Sequence, residues 1–396
     1  MRPSISIIVP TYNCSDNLKK LLQSIFAQSL QPDEIIIVDS SIDSSIEDLI
    51  TSITSEIPLI YKRSVKKYPG EKRNEGASIA SHEWLAFLDV GTIPRKNWLK
   101  NNMTLAIDEK YDVVFGHTKY RALNNFQMLL RAATYGSLGH ETTPGTLVRI
   151  ENFLRSGGFI EGIRAGDDQE WRLQLRDVCK KLTIPDDITL DYSSLPNSLI
   201  ALQKKYFIYY MHSAKIRAQR NIRDIYLSVL LIFFSLVITQ WNYLIGGWDT
   251  NHLFISNITK IYALSLAISL LFYIVFIRLF KPPNQFYLFN WFAKVFLFFI
   301  LLFTVYSWNF YVIDWEEDSI LFIPHITKIY VGLVFAASFL YRGILLPLKL
   351  GIKGNFIFPK NWIIIGLMGL SFDLIKSPGI FLGILLSPFQ KNLSKN

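Results

Sequence analysis

The chain has 396 residues, half of them hydrophobic and only 18% charged, with a mean hydropathy of +0.25 and a net charge of +9. That balance excludes a disordered chain and argues against a wholly water-soluble protein. Two cysteines, Cys14 and Cys179, exclude a disulfide framework and a Cys-rich metal site, and the basic residues are not interleaved with any DNA- or RNA-reading motif, so no nucleic-acid partner is expected. The charge is uneven: beyond Arg223 there are only 12 Lys/Arg and 7 Asp/Glu. The chain therefore reads as a soluble α/β domain (1–195), a basic amphipathic juxtamembrane helix (196–223), a membrane domain of about four helices (224–350) and a C-terminal interfacial or re-entrant segment (351–396).

From the N-terminus, Ile5–Val9 is a buried strand that Pro10 should stop. A helix follows over Asn17–Ser29, with Leu18, Leu21, Leu22, Ile25 and Phe26 at a 3.6 period. Glu34–Asp39 is a second buried strand ending in a carboxylate. Strands at Leu59–Tyr61 and Trp84–Asp89 alternate with helices near 44–54 and 72–81. This βαβα order predicts a parallel sheet with helices on both faces. Ligands of such sheets bind beyond the carboxyl ends of the strands, where Asp39 and Asp89 stand. Pro69-Gly70-Glu71-Lys72-Arg73-Asn74-Glu75-Gly76 sets two cations at a glycine-flanked helix start, which suits a pyrophosphate; seen alone it reads rather as a solvated helix start with a surface charge run. Asp167-Asp168 can cap the helix 168–180.

In the second half, apolar stretches at about 225–245, 261–280, 291–313 and 328–348 are each near the ~20 residues that span a bilayer. Trp241, Trp291, Trp308, Trp315 and Trp362 stand near their ends, and Arg342 is expected to snorkel. Basic residues precede the first stretch and follow the fourth, while Asp314, Glu316, Glu317 and Asp318 crowd one opposite loop. With no secretory signal at the start, the positive-inside rule predicts a multi-pass protein of the cell membrane with its first domain in the cytosol. Segment 196–222, carrying Leu202, Tyr206, Tyr209 and Tyr210 among lysines, is expected to lie on membrane lipids. Residues 362–386, interrupted by Asp373, Lys376 and Pro378, read as interfacial or re-entrant rather than as a fifth span.

Over residues 4–180 the order of motifs resembles the family 2 glycosyltransferases of GT-A fold. Ser6–Asn13 is similar to that family's opening strand and turn, and EIIIVDSSIDSS (34–45) to its second strand and acidic turn. Arg73-Asn74-Glu75-Gly76 resembles the Arg-Asn-x-Gly element, and LAFLDVGTIP (85–94) the strand bearing the Asp-x-Asp metal motif. Gly157-Gly158-Phe159 with Gly166-Asp167-Asp168-Gln169-Glu170-Trp171 resembles the acceptor-side block. The resemblance implies a GT-A (Rossmann-like) domain and an inverting transferase using a nucleotide-diphospho-sugar. It implies donor contacts at Pro10, Tyr12, Asp39, Asp43, Lys72, Arg73, Asn74, Asp89, Val90 and Gly91, Asp168 as general base, and Asp167 in an orienting role. It further implies a Mg²⁺ or Mn²⁺ ion on Asp89, although Gly91 replaces the second carboxylate of the motif. Gly145 and Thr146 are expected along the acceptor cleft, and Trp171 either stacks on an acceptor or packs. Gln169–Leu173 does not supply the Gln-x-x-Arg-Trp element of processive synthases, which favours single addition. The acceptor implied is lipid-linked or a cell-envelope polysaccharide precursor. The alternatives are a polyprenyl-phosphate sugar synthase, with Lys204, Lys205 and Arg217 attracting the lipid phosphate, and a non-catalytic nucleotide-sugar-binding membrane scaffold.

Overall fold

The computed structural model describes residues 3–214, 216–219, 237, 241–246, 251–256, 258 and 336–386. Nine strands form one sheet: β1 (Ile5–Thr11), β2 (Glu34–Asp39), β3 (Leu59–Arg63), β4 (Trp84–Phe87), β5 (Thr92–Pro94), β6 (Val113–Tyr120), β7 (His140–Arg149), β8 (Leu182–Thr183) and β9 (Leu190–Tyr192). Their spatial order is β3-β2-β1-β4-β7-β6-β9-β5, with β8 also paired to β6. The helices of this domain are α1 (Ser15–Phe26), α2 (Ser45–Ser52), α3 (Pro69–Ile79), α4 (Trp98–Ile107), α5 (Asn125–Ala133), α6 (Ile150–Arg155) and α7 (Asp167–Val178). This is the α/β, GT-A arrangement that the motifs imply.

Two local expectations are corrected. The strand does not stop at Pro10 but runs on to Thr11. The carbonyl of Ile8 accepts from Leu88 N on the β4 side, so Pro10, of the same parity, turns its missing N–H to that side. The β4 register ends at Ile8–Phe87, and no ladder bond is lost there. The sheet is not parallel throughout: β3-β2-β1-β4 are parallel, β7 then inserts antiparallel between β4 and β6, and β8 and β9 pair parallel with β6.

Strand alternation builds a core on each face. Ile5, Ile7, Val9, Ile35 and Ile37 face α1, whose Leu18, Leu21, Leu22 and Ile25 are buried at the expected spacing. Ile8, Ile36, Val38, Leu85 and Phe87 face the other way, onto Phe153, Phe159 and Trp171. A third cluster joins Leu130 of α5 and Leu202 of α8 (Leu199–Ser213) to Ile365, Met368 and Phe372 of α9 (Asn361–Leu385). Each cluster withdraws apolar surface from water at about 25 cal/mol per Å².

The expected spans at 225–245, 261–280, 291–313 and 328–348 fall wholly or mostly outside the described residues. Residues 336–340 are helical and continue through a π-turn at Tyr341–Leu345 into Leu346–Lys349. Arg342 does not snorkel there: it pairs with Asp373 of α9. Helix α9 is one unbroken helix through Pro378, and its Asn361–Gly383 portion is long and apolar enough to cross a membrane. Helix α8 packs along α9 and against the domain, with Leu202 buried, while Ile200 and Ile208 stay exposed on its outer side.

Candidate active site

The carboxyl ends of β1 and β4, the first turns of α3 and α7, and helix α8 surround a cleft of about 1210 Å³. Helix α3 organises it. Pro69 opens the helix with φ already suited to it, and Glu71 accepts from Tyr68 N at 3.0 Å. Gly70 is required by close approach: a Cβ there would lie 2.8 Å from Asp167 Oδ2. Lys72, Arg73 and Asn74 then reach different parts of the domain. Lys72 Nζ donates to Thr11 O at 2.6 Å and Ser40 Oγ at 2.9 Å, at the ends of β1 and β2. Arg73 donates from Nη2 to Asp89 Oδ1 at 2.6 Å and from Nη1 to Asp167 Oδ2 at 2.9 Å. Asn74 exchanges two hydrogen bonds of 2.8 Å with the backbone of Phe159 and fixes the Gly157-Gly158-Phe159 turn.

Electrostatics follow from burial. Desolvation draws the Lys72 ammonium down to about 8, against the opposing pull of Asp39. Burial also disfavours the Arg73 charge, but Asp89 and Asp167 outweigh it and hold the guanidinium charged. Burial raises Asp167 to about 7, with Arg73 opposing and Asp168 and Asp89 adding repulsion. Asp168, the second residue of α7, keeps its carboxylate about one-third exposed, 3.6 Å from Arg172 Nη1, and lines the cleft.

The sequence-derived residues divide. Pro10, Tyr12, Lys72, Arg73, Asp89, Val90, Asp167 and Asp168 line the one cleft. Asp39 is fully buried behind it, accepting from Thr11 Oγ1, Ser41 N and Oγ, Tyr61 Oη and Arg63 Nη1. Its carboxylate organises the turn after β2. Asp43 is exposed beyond Arg63, which donates to its carbonyl, and its own carboxylate caps Ser45. Asn74 acts as a clamp on the Phe159 turn. Gly145 and Thr146 are buried: the Gly145 carbonyl accepts from Trp98 Nε1 and Asn102 Nδ2, and Thr146 Oγ1 donates to Thr142 O. Thr142 and Pro144 line the cleft in their place. Trp171 packs: it has no exposed surface, bonds Ser156 Oγ at 3.0 Å, and lies against Phe87, Phe153 and Phe159.

Gly91, the departure from the acidic metal motif, is buried at φ +101°. Among the described residues no three His, Cys, Asp or Glu side chains are grouped to hold a metal ion unaided. The donor set fits Mg²⁺ or Mn²⁺ only in the manner of a substrate-completed site. Asp89, with one oxygen on Arg73 and its carboxylate partly exposed, can give one ligand, and diphosphate and water supply the rest.

Motif reading missed a set of aromatic side chains in the same cleft. Tyr120, Tyr135 and Tyr192 come from or near β6, α5 and β9, and Tyr206, Tyr209 and Tyr210 from α8. Arg217, expected to meet a lipid phosphate, is instead paired with Glu170 and Asp177.

A mixed α/β sheet with its cations and carboxylates gathered beyond the strand ends is the architecture of a nucleotide-sugar transferase domain. Residues 6–165 match the family described as Glycosyl transferase family 2, and this domain of the chain belongs to it. An uncharacterized glycosyltransferase of Rickettsia bellii is 25% identical over 178 residues, covering 41% of this chain and 25% of that protein. The UDP-Glc:alpha-D-GlcNAc-diphosphoundecaprenol beta-1,3-glucosyltransferase of Escherichia coli is 29% identical over 122 residues, 31% of this chain and 48% of that one. Among solved structures, TarS 1–349 of S. aureus in complex with UDP-GlcNAc is similar at a TM-score of 0.40 and 18% identity. It covers 60% of this chain and 73% of that one. The matched region amounts to between a quarter and three-tenths of the length of the first curated relatives.

Proposed function

We propose that the chain is a membrane-bound, inverting glycosyltransferase that moves a sugar from a nucleotide-diphospho-sugar to an acceptor hydroxyl, the acceptor being a lipid-linked glycan precursor. The observation that carries this reading is the convergence of Asp89, Asp167 and Asp168 on one cleft, with Arg73 joining the first two. The reading is supported by the family of residues 6–165 and by a relative whose name gives a UDP-sugar donor and a diphosphoundecaprenol-linked acceptor. The apolar α9 beside the cleft supports membrane attachment, with the domain on the cytosolic face.

The chemistry requires that the acceptor oxygen attack the anomeric carbon while the bond to the diphosphate breaks and the electron pair leaves with the diphosphate. Asp168 takes the acceptor proton; its carboxylate is accessible, whereas Asp167 is sealed under Arg73. Lys72 and Arg73 set positive charge where the leaving group gathers negative charge. Asp89 would hold a Mg²⁺ or Mn²⁺ ion through the oxygen that Arg73 does not take, and the ion would add charge stabilisation of the diphosphate. With Asp168 as base, Asp167 sealed and Asp89 committed to Arg73 and the ion, no carboxylate is left as nucleophile, and direct displacement inverts the anomeric centre.

The test is donor turnover by the full chain in detergent against a panel of UDP- and GDP-sugars, with NMR assignment of the product anomer. Asp168→Asn is expected to lower turnover by about 10²–10⁴-fold while nucleotide binding persists. Equal turnover by both proteins, or a retained anomeric configuration, defeats the reading.

A further inference from the structure

The donor-side residues account for one half of the cleft. The other half, beside Asp168, is walled by Tyr120, Tyr135, Tyr192, Tyr206, Tyr209 and Tyr210. Four of these six lie beyond residue 165, outside the family-matched segment, so most of this wall comes from the part of the chain that follows it. Tyr120 and Tyr135 stack with ring centroids 3.8 Å apart and 10° between planes, and Tyr192 meets Tyr120 edge-on at 5.3 Å. The Tyr135 and Tyr206 side chains interact, which brings the β-sheet wall onto α8. Each ring is half-buried, giving an apolar face and a polar edge to the same space.

We infer that this tyrosine-walled chamber is the acceptor subsite, and that the acceptor moiety it takes is a sugar ring rather than a bare lipid phosphate. The inference rests on the transferase reading and chooses within it. A pyranose has C–H faces that lie on aromatic rings and hydroxyls that pair with phenols, which is what the wall offers. A phosphate does not suit the place. At this end of the cleft the accessible carboxylate of Asp168 repels a dianion. A phosphate oxygen also needs no base to become a nucleophile, so Asp168 would have no proton to remove. The cations near the wall face its rings: Arg164 stands over Tyr209 at 5.8 Å, Lys205 over the same ring at 5.2 Å, and Lys376 over Tyr206 and Tyr210 at 5.1 Å each. Of the cations beside Asp168, Arg172 is shared with Glu141, and Arg73 is held by Asp89 and Asp167.

The experiment offers the full chain two synthetic acceptors with the same short prenyl tail, farnesyl-diphospho-N-acetylglucosamine and farnesyl phosphate, with each nucleotide sugar of the panel. Transfer to the first at a rate at least tenfold above the second is expected. Tyr120→Ala is expected to raise the KM for the sugar-bearing acceptor about tenfold, and by more than it raises the donor KM; Tyr120→Phe, which keeps the ring, should fall between it and wild type. Preferential glycosylation of farnesyl phosphate, or acceptor KM values equal in all three proteins, overturns the subsite and leaves the transferase reading standing. A wild-type chain that consumes no nucleotide sugar, with water or either acceptor, overturns both.

Discussion

Arg73 Nη1 lies 2.9 Å from Asp167 Oδ2, and both side chains are at most 4% exposed. One buried ion pair thus locks the donor-side helix α3 to the acceptor-side helix α7, and Arg73 carries the link on to Asp89. Removing the cation leaves two carboxylates facing each other. Arg73→Met is therefore expected to destabilise the domain by about 3–5 kcal/mol. The sign for Asp167 is opposite at neutral pH. Its carboxyl is raised to about 7 in the fold from an ordinary 3.8, so its contribution is present below about pH 4 and is lost as pH rises through 7. Asp167→Asn escapes that loss. Thermal melting across pH 5–8 should show the variant gaining on wild type as pH increases; a constant or shrinking difference would contradict the assignment.

Lys72 gives a second pH-dependent quantity. Burial brings its ammonium to about 8, where it faces the cleft beside Tyr12. In the free enzyme its charge fades as pH rises through about 8, and with it the attraction for a diphosphate. Wild-type kcat/KM for the nucleotide sugar is expected to decline above pH 8, about tenfold per unit well beyond that point. Lys72→Met should be weaker at pH 7 and lack that limb. Parallel profiles for the two proteins would assign the titration to another group.

Much of this was legible in the sequence, because strands β1 and β2 are apolar runs with no competing pattern and α1 repeats at 3.6. The Lys72-Arg73 pair was legible as charge at a helix start. Its division of labour was not, because which way each side chain reaches depends on α7, nearly 100 positions away. Trp171, three residues after Asp168, reads equally as an acceptor platform or as packing, and only the fold decides, since its ring falls into the core against Phe87. The tyrosines of α8 were read as a membrane-facing set. Lysines interleaved with aromatics look the same whether the rings meet lipid or a cleft wall, and only packing against α9 separates the two.

Gly91 fixes the departure from a two-carboxylate metal motif in the backbone itself. Its φ of +101° disfavours any L side chain, and a Cβ would come within 2.8 Å of Ser194 Oγ. Gly91→Asp, which restores the acidic pattern on paper, is expected to cost about 1–3 kcal/mol of stability and to bring no tighter Mn²⁺ binding. Calorimetric titration of Mn²⁺ with UDP present, alongside melting, checks both. A stable variant with sharper metal affinity would show that the turn can relax and that a second ligand had been the only thing missing.

The pair Arg342–Asp373 decides how α9 tolerates charge in an apolar helix. The two side chains are 24% and 15% exposed, and each is the other's neutralising partner between adjacent helices. Away from water, an ion stripped of its counter-ion is costly, whereas an apolar pair of similar size packs without that penalty. Asp373→Leu alone is expected to lose about 3 kcal/mol, and Arg342→Met alone a comparable amount. The double variant should recover part of it, because Arg342 and Asp373 no longer leave each other uncompensated while Lys376 still loses the pull of Asp373. Thermal melting of the four proteins in detergent completes the cycle. Additive losses in the double variant would mean that the two charges are held by other groups, and the helix contact would have to be explained by its apolar residues alone.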